Sequence, residues 1–400
     1  MVRYRLGVAP PLDRALSLTS SSTSPTTYIP PHAMAAIAFT PALHLPPSLS
    51  SRAPLFRKSS PNSLPPPAAK RTPLRQSRVA NKAGRARAVI TAGGEGGDGG
   101  SVGRDWSNPI GLHAMVWVGG WSKEECERAI SRSAAIGYDL IEVPVLDPAT
   151  VDVPHTRAVL RHHGLAASTS LGLSLDKDIS SADPEVAARG EELLMSALAV
   201  AAGIGASHLT GVTFSAIAKY PTPFPGGRAR DNMVGALRRV AARAADSGVT
   251  LGLEVVNRYE SNVLNTAAQA VQVVEEVGHS NVVVHLDSYH MNIEESSLAD
   301  AVALCGSRLG YVHIGESHRG YLGSGTVDFP QLFRALARAQ YRGPITFESF
   351  SSEVVSPTLS NTLAVWRNLW DNSDHLAAHA HAFITSQWSA AIRASRPPSV

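Results

Sequence analysis

Short apolar runs alternate with helical patterns over most of the chain. Eight runs of strand length recur at Ile110–Trp117, Leu140–Val145, Ala166–Leu171, His208–Val212, Thr250–Val255, Val282–Leu286, Gly310–Ile314 and Pro344–Phe347, with starts 26 to 42 residues apart. The gaps between them read as helices. Ser122-Lys-Glu-Glu125 is a capping box ahead of a helix that ends near Gly137. Asp183-Pro184 opens a long Ala/Leu-rich helix through Ala202. Asn232–Ala245 places Val234, Leu237, Val240, Ala241 and Ala244 at a period near 3.6. Thr266 starts a helix ending at Gly278, and Asp328-Phe-Pro330 starts another through Ala339. Eight strand–helix alternations predict a (β/α)8 barrel over residues 110–385, with a short C-terminal tail at 386–400. A doubly wound open sheet is the structural alternative, but no Gly-x-Gly-x-x-Gly follows the first strand.

Before Ile110 the pattern stops. Residues 1–94 are rich in Ser, Pro, Ala and Arg, and hold 14 of the 27 prolines. Such a segment cannot bury a core. Its composition is that of an organelle transit peptide: 13 Lys and Arg against one acid, Asp13. Met34 opens a stretch similar to a plastid transit peptide start, and Arg85–Ala92 has the character of a processing region. A plastid destination is expected, with the mitochondrion second. A disordered basic tail that binds RNA or membrane is the other reading. Residues 95–109 read as a Gly-rich linker.

Charge is therefore divided along the chain. The overall net charge is +3, from 36 basic and 33 acidic residues, but beyond residue 94 there are 23 basic against 32 acidic. A body near −9 repels phosphate, which argues against a nucleic-acid partner. No run of 18 uncharged apolar residues is present, so no membrane-spanning helix is expected. Two distant cysteines, Cys126 and Cys305, make neither a thiolate zinc site nor a disulfide framework.

Four residues with metal-binding side chains stand at or near the ends of four successive strands: Glu254, Asp287, His313 and Glu348. In a barrel these carboxyl ends converge on one rim, where such folds place chemistry. Burying three carboxylates and an imidazole together without a cation is costly. Three oxygen ligands and one imidazole suit Mn²⁺, with Co²⁺ or Mg²⁺ as alternatives.

The residues around these positions resemble the D-tagatose 3-epimerase and D-psicose (allulose) 3-epimerase family of xylose-isomerase-like barrels. The resemblance rests on Gly252-Leu-Glu-Val-Val-Asn-Arg-Tyr-Glu260, His285-Leu-Asp-Ser-Tyr-His-Met-Asn-Ile-Glu-Glu295, His313-Ile-Gly-Glu-Ser-His-Arg319 and Thr346-Phe-Glu348. It implies that Glu254, Asp287, His313 and Glu348 bind the metal and that Glu254 and Glu348 also move the proton. It further implies that Glu260, His290 and Arg319 face the substrate, a ketose inverted at C3 through a cis-enediolate. A homodimer or homotetramer is implied as well.

Each residue also has a plainer reading. Glu260 suits a helix cap, His290 a loop histidine, and Arg319 a surface pair with Glu316. Glu142 falls mid-strand as a partner to the barrel floor, without a catalytic role. Trp117, Phe214 and Phe350 are either walls of a sugar pocket or core. Asp374–His381 fits a solvated helix better than a metal site. The glycine-rich Gly315–Gly325 and the stiff Tyr220–Pro225 are expected at the substrate's distal end. An aldose–ketose isomerase of the hydroxypyruvate or xylose isomerase type is the alternative activity. An abasic-site endonuclease and a non-catalytic sugar-binding protein stand further off.

Removal of residues 1–94 should leave a folded, active protein, and the same residues fused to a fluorescent protein should carry it into plastids. An inactive truncation would overturn the boundary, and cytosolic fluorescence would overturn the targeting.

Overall fold

The computed structural model describes residues 106–396 except residue 219. The transit-peptide reading of residues 1–94 lies outside the described residues. Eight parallel strands close into a barrel in chain order: β1 Ile110–His113, β2 Leu140–Pro144, β3 Ala166–Ser170, β4 His208–Thr210, β5 Thr250–Val255, β6 Val282–Asp287, β7 Leu309–Ile314 and β8 Ile345–Phe347. β8 pairs with β1 through Thr346 and Gly111, so no strand edge is left open. The open-sheet alternative is excluded.

The helices are α1 Lys123–Ile136, α2 Val153–His163, α3 Pro184–Ile204, α4 Arg228–Asp246, α5 Ala267–Val277, α6 Ser288–Glu294, α7 Leu298–Cys305, α8 Phe329–Arg338, α9 Pro357–Thr362 and α10 Ser373–Ser395. Their limits follow local chemistry. Ser122 and Glu125 satisfy each other's backbone N–H groups at the start of α1, and Gly137 ends it at φ 106°. Thr266 and Gln269 do the same for α5, which Gly278 ends. Asp183 and Asp328 cap α3 and α8, each with proline in the first turn. No helix among the described residues is long and apolar enough to cross a membrane.

Two strands are shorter than the apolar pattern suggests by two residues or more. β1 stops at His113 because its Nδ1 accepts the Met115 N–H and starts a 3₁₀ turn over Ala114–Val116. β4 stops at Thr210 because Gly211 adopts φ 100° against the Leu171 carbonyl, where a side chain would clash.

The barrel interior is unusually polar beneath its mouth. Such interiors are mostly filled by branched aliphatics. Here Glu142, Ser168, Tyr311 and Thr346, from β2, β3, β7 and β8, meet in one fully buried hydrogen-bonded layer. The aliphatic core lies on the opposite strand faces, where Ile141, Val143, Leu253, Val312 and Ile345 are buried. Between β6 and β7 the register slips: Val284 pairs with Leu309 but His285 pairs with Tyr311, which leaves Gly310 without a β6 partner.

Both domain limits move. α10 runs ten residues past 385, so the 386–395 part of the expected tail is the end of the eighth barrel helix. It packs between α8 and α1, with Trp388 buried against Phe333. The apolar Ile384, Trp388 and Ala391 are the only helical signal there, diluted by Ser and Arg on the outer face. At the other limit, Asn108 donates to the Tyr341 and Gly343 carbonyls, and the Ile345 N–H bonds to the Pro109 carbonyl. Residues 106–109 therefore seal the barrel floor and are not linker.

Trp388→Ala should cost roughly 3–5 kcal/mol, because a buried indole leaves a large cavity. A urea denaturation midpoint shift read at constant slope is the check. A loss below about 1 kcal/mol would show the end of α10 to be dispensable.

Candidate active site

Glu254, Asp287 and His313 sit on β5, β6 and β7, and Glu348 directly follows β8. Their ligand atoms all lie within 4.8 Å of one another. His313 Nδ1 is the centre: it stands 3.4 Å from Glu348 Oε1, 3.5 Å from Glu254 Oε1 and 3.8 Å from Asp287 Oδ2. Asp287 and His313 are fully buried, whereas both glutamates keep a small exposure. Asp287 Oδ1 caps α6 by accepting the Tyr289 N–H at 2.6 Å, which points Oδ2 the other way.

The cluster carries too much negative charge to stand alone. Burial pushes the Glu254 carboxyl up to about 8, and the Glu348 and Asp287 charges add to it. Burial and Glu348 push Asp287 up to about 6. For His313 burial favours the neutral ring, but Glu142 and Glu348 outweigh it and hold the imidazole well above its usual range. Asp287 Oδ2 and His313 Nδ1 are buried, face the same space and have no hydrogen-bond partner. Two orphaned ligand atoms beside two glutamates fit a divalent cation such as Mn²⁺, Co²⁺ or Mg²⁺.

The three expected substrate-facing residues come together next to this cluster. Arg319 donates to Glu348 Oε2 at 2.9 Å and to Glu260 Oε1 at 3.4 Å. Its guanidinium lies over the Tyr289 ring at 3.9 Å and the Phe350 ring at 4.9 Å. Asn257 holds the other two. Its side-chain amide donates to Glu260 Oε1 at 3.1 Å, and its backbone N–H donates to His290 Nδ1 at 3.0 Å. The neutral His290 ring therefore carries its proton on Nε2, 3.9 Å from Glu254 Oε1 and 4.0 Å from Asp287 Oδ2.

The plainer readings of these residues fail. Arg319 is buried and does not pair with Glu316. Glu316 instead accepts the backbone N–H groups of Ser317, Gly323 and Val327 and folds the loop after β7. Arg319 reaches inward from that loop with φ 57°, a strained value for a non-glycine residue. Its N–H bonds to the Glu316 carbonyl, and the Ser349 hydroxyl donates to the Arg319 carbonyl. Glu260 is not a helix cap, because α5 is capped by Thr266.

The site opens into a cleft of about 520 Å³. Its floor is polar and includes His113, Ser170, Glu254 and Glu348, while its wall includes Met115, Ile217, Phe350 and Leu363. Of the three aromatics considered, only Phe350 lines it. Trp117 donates to Ser133 beside α1, and Phe214 is core. No residue of 220–225 lines the cleft, and Gly315–Gly325 contributes only Arg319. His375 and His379 bond to Tyr321 Oη and the Leu322 carbonyl, which ties α10 to that loop. Asn257, His113 and Ser170 went unread in the sequence. Asn257 lies inside a quoted motif, but nothing in its spacing tells which groups it joins.

A profile of the xylose isomerase-like TIM barrel family matches residues 130–384. The chain is 52% identical to an L-ribulose 3-epimerase of Methylomonas sp. over 278 residues, 70% of this chain and 97% of that one. It is 50% identical to a ketose 3-epimerase of Arthrobacter globiformis over 281 residues, again 70% and 97% of the two chains. Among solved structures, a Methylomonas sp. D-allulose 3-epimerase in complex with D-allulose superposes with a TM-score of 0.69 at 51% identity, covering 70% of this chain and 98% of that one. With the barrel closed in the expected order and the strand-end residues gathered at its mouth, the chain belongs to the xylose isomerase-like TIM barrels and, within them, to the ketose 3-epimerases, enzymes of the isomerase class.

Proposed function

We propose that this enzyme inverts C3 of a free ketose, with Glu254 and Glu348 as the two proton carriers and one divalent cation, Mn²⁺ foremost, held by Glu254, Asp287, His313 and Glu348. The observation that carries this reading is the placement of the two glutamates. They reach the same point, His313 Nδ1, from β5 and from the end of β8, and both keep a face on the cleft. A sugar lying over the cluster has one carboxylate on each side of C3. One removes the C3 proton, and the resulting enediolate spans C2 and C3. The other returns a proton to the opposite face, which inverts the carbon. The cation, when bound, supplies Lewis-acid polarisation of the C2 carbonyl.

The remaining groups orient and balance. Arg319 fixes the Glu348 carboxylate by its 2.9 Å hydrogen bond and adds positive charge beside oxygens that become more negative during the reaction. His290 presents its Nε2–H as a donor to a sugar oxygen, and Asn257 keeps it in that tautomer. Among the described residues Arg319 is the only Lys or Arg lining the cleft, and two carboxylates already engage it. That leaves no free cation for a phosphate group among the described residues and favours an uncharged ketose. The amino-terminal composition supports delivery of this activity to plastids.

Glu254→Gln and Glu348→Gln should each lower epimerisation by about 10²–10⁴-fold in metal-replete protein. In D₂O the surviving carboxylate should still exchange the C3 proton on its own face, so deuterium enters unconverted sugar with little inverted product. Normal epimerisation by both variants would refute the two-carboxylate mechanism. Deuterium at C1 with aldose formation would move the enzyme to the aldose–ketose isomerases.

Cation uptake should also depend on pH. With Glu254 held up to about 8 and Asp287 to about 6, these carboxyls must lose protons before they can bind a cation, so apparent Mn²⁺ affinity should rise as pH goes from 6 to 8. Proton release on Mn²⁺ addition in weak buffer is the check. An affinity flat across that window would contradict the assignment.

A further inference from the structure

Beneath the cluster lies a charged group that the proposed chemistry does not use. Glu142 is fully buried in the middle of β2, and among the described residues its only ion-pair partners are histidines, His113 and His313. A carboxylate so placed is costly unless paired and hydrogen-bonded; Oε1 has no hydrogen-bond partner, and Oε2 has two. Oε2 accepts the Tyr311 hydroxyl at 2.7 Å and lies 2.8 Å from His313 Nε2. Because a carboxylate only accepts, the proton of the neutral His313 ring belongs on Nε2. Once the ring is neutral, as a metal ligand must be, the Nδ1 lone pair is free, and Nδ1 is the atom that lacks a partner at the centre of the cluster.

The carboxylate is itself held from several sides. Tyr311 spends its one proton on Glu142, so its oxygen accepts from Ser168 Oγ at 2.7 Å and from Thr346 Oγ1 at 2.9 Å. Four strands therefore aim one carboxylate at one ring. His113 does not compete for this role. Its Nδ1 accepts the Met115 N–H, and its Nε2–H lies 3.0 Å from Ser170 Oγ but 3.6 Å from Glu142 Oε1.

We propose that Glu142 is the positioning residue of the metal site: it fixes the tautomer and orientation of His313, presents Nδ1 to the cation, and strengthens that nitrogen as a donor by placing negative charge behind the ring. This rests on the reading of the cluster as a divalent cation site. The opposing view is that Glu142 only satisfies the Tyr311 hydroxyl within a polar core.

The test is a Mn²⁺ titration of metal-stripped full-length protein, with free Mn²⁺ followed by its electron paramagnetic resonance signal. Wild type, Glu142→Gln and Tyr311→Phe are compared, with thermal midpoints recorded without metal. Wild type should take up one Mn²⁺. Glu142→Gln removes the charge and can turn an N–H toward Nε2, so its Kd should rise about 10–100-fold. Tyr311→Phe keeps the Glu142–His313 contact, so it should lower the thermal midpoint while changing the Kd less than about 3-fold. Should Glu142→Gln not fold, Glu142→Asp is read instead; it keeps the charge but withdraws it from Nε2, and a Kd at least about 5-fold weaker is expected. A Glu142 variant with wild-type affinity overturns the proposal, and so does equal weakening by Tyr311→Phe. A wild type that binds no Mn²⁺ refutes the cation site itself, a result separate from both.

Discussion

At the mouth of this barrel three carboxylates and an imidazole share a space that water hardly enters, and each charge must be met by another group. Desolvation alone would drive the carboxyls to keep their protons, as the raised values of Glu254 and Asp287 record. The surroundings answer with directed contacts: Arg319 on Glu348, the Tyr289 N–H on Asp287, and Glu142 behind His313. What remains unmet is a pair of bare ligand atoms. Much of the molecule is built to hold that imbalance in place. The polar layer of Glu142, Tyr311, Ser168 and Thr346 replaces aliphatic packing where the fold would ordinarily put Val or Ile.

The cleft above is divided by the same logic. Polar and charged groups are confined to the floor, and the wall above it is apolar through Met115, Phe350 and Leu363. Met115 and Phe350 also belong to a small hydrophobic cluster with Val355 and Val365, separate from the main core and packed under α9. The segment after β8 thus has its own anchor beside the reacting groups. Arg319 is sandwiched between Tyr289 and Phe350, so one aromatic ring serves both the wall and the orientation of the guanidinium.

The sequence revealed those parts of the site that depend on strand periodicity. Glu254, Asp287, His313 and Glu348 stand out because each lies at or near the end of an apolar run, and a barrel brings run ends together. Glu142 was visible as an acid inside the apolar Leu140–Pro144 strand, but its partner lies on β7, and pairing across a barrel leaves no trace in spacing. Arg319 was harder. Glu316 three residues earlier offers an obvious ion pair, and only the left-handed turn at Arg319 sends the side chain inward. Such a turn is set by tertiary contacts, which no local pattern announces. The end of α10 was missed for the opposite reason: two or three buried positions in a helix otherwise lined with Ser, Thr and Arg are too sparse to read as periodic.

The unpaired Gly310 makes the chemistry a matter of parity. Strand side chains alternate between the two faces, so every residue of β7 after Gly310 owes its direction to that one uncounted position. With it, Tyr311 and His313 stand opposite His285 and Asp287 and point into the barrel. Were Gly310 instead paired with His285 in regular register, Val312 would stand opposite Asp287, and the imidazole would turn toward the helices. A side chain at Gly310 would also meet Val283 at about 2.5 Å, so the slip depends on a residue with none. The direction of His313 therefore holds only while Gly310 stays outside the pairing. A lineage that took Gly310 into regular pairing would keep the barrel's outline and lose the histidine from its centre.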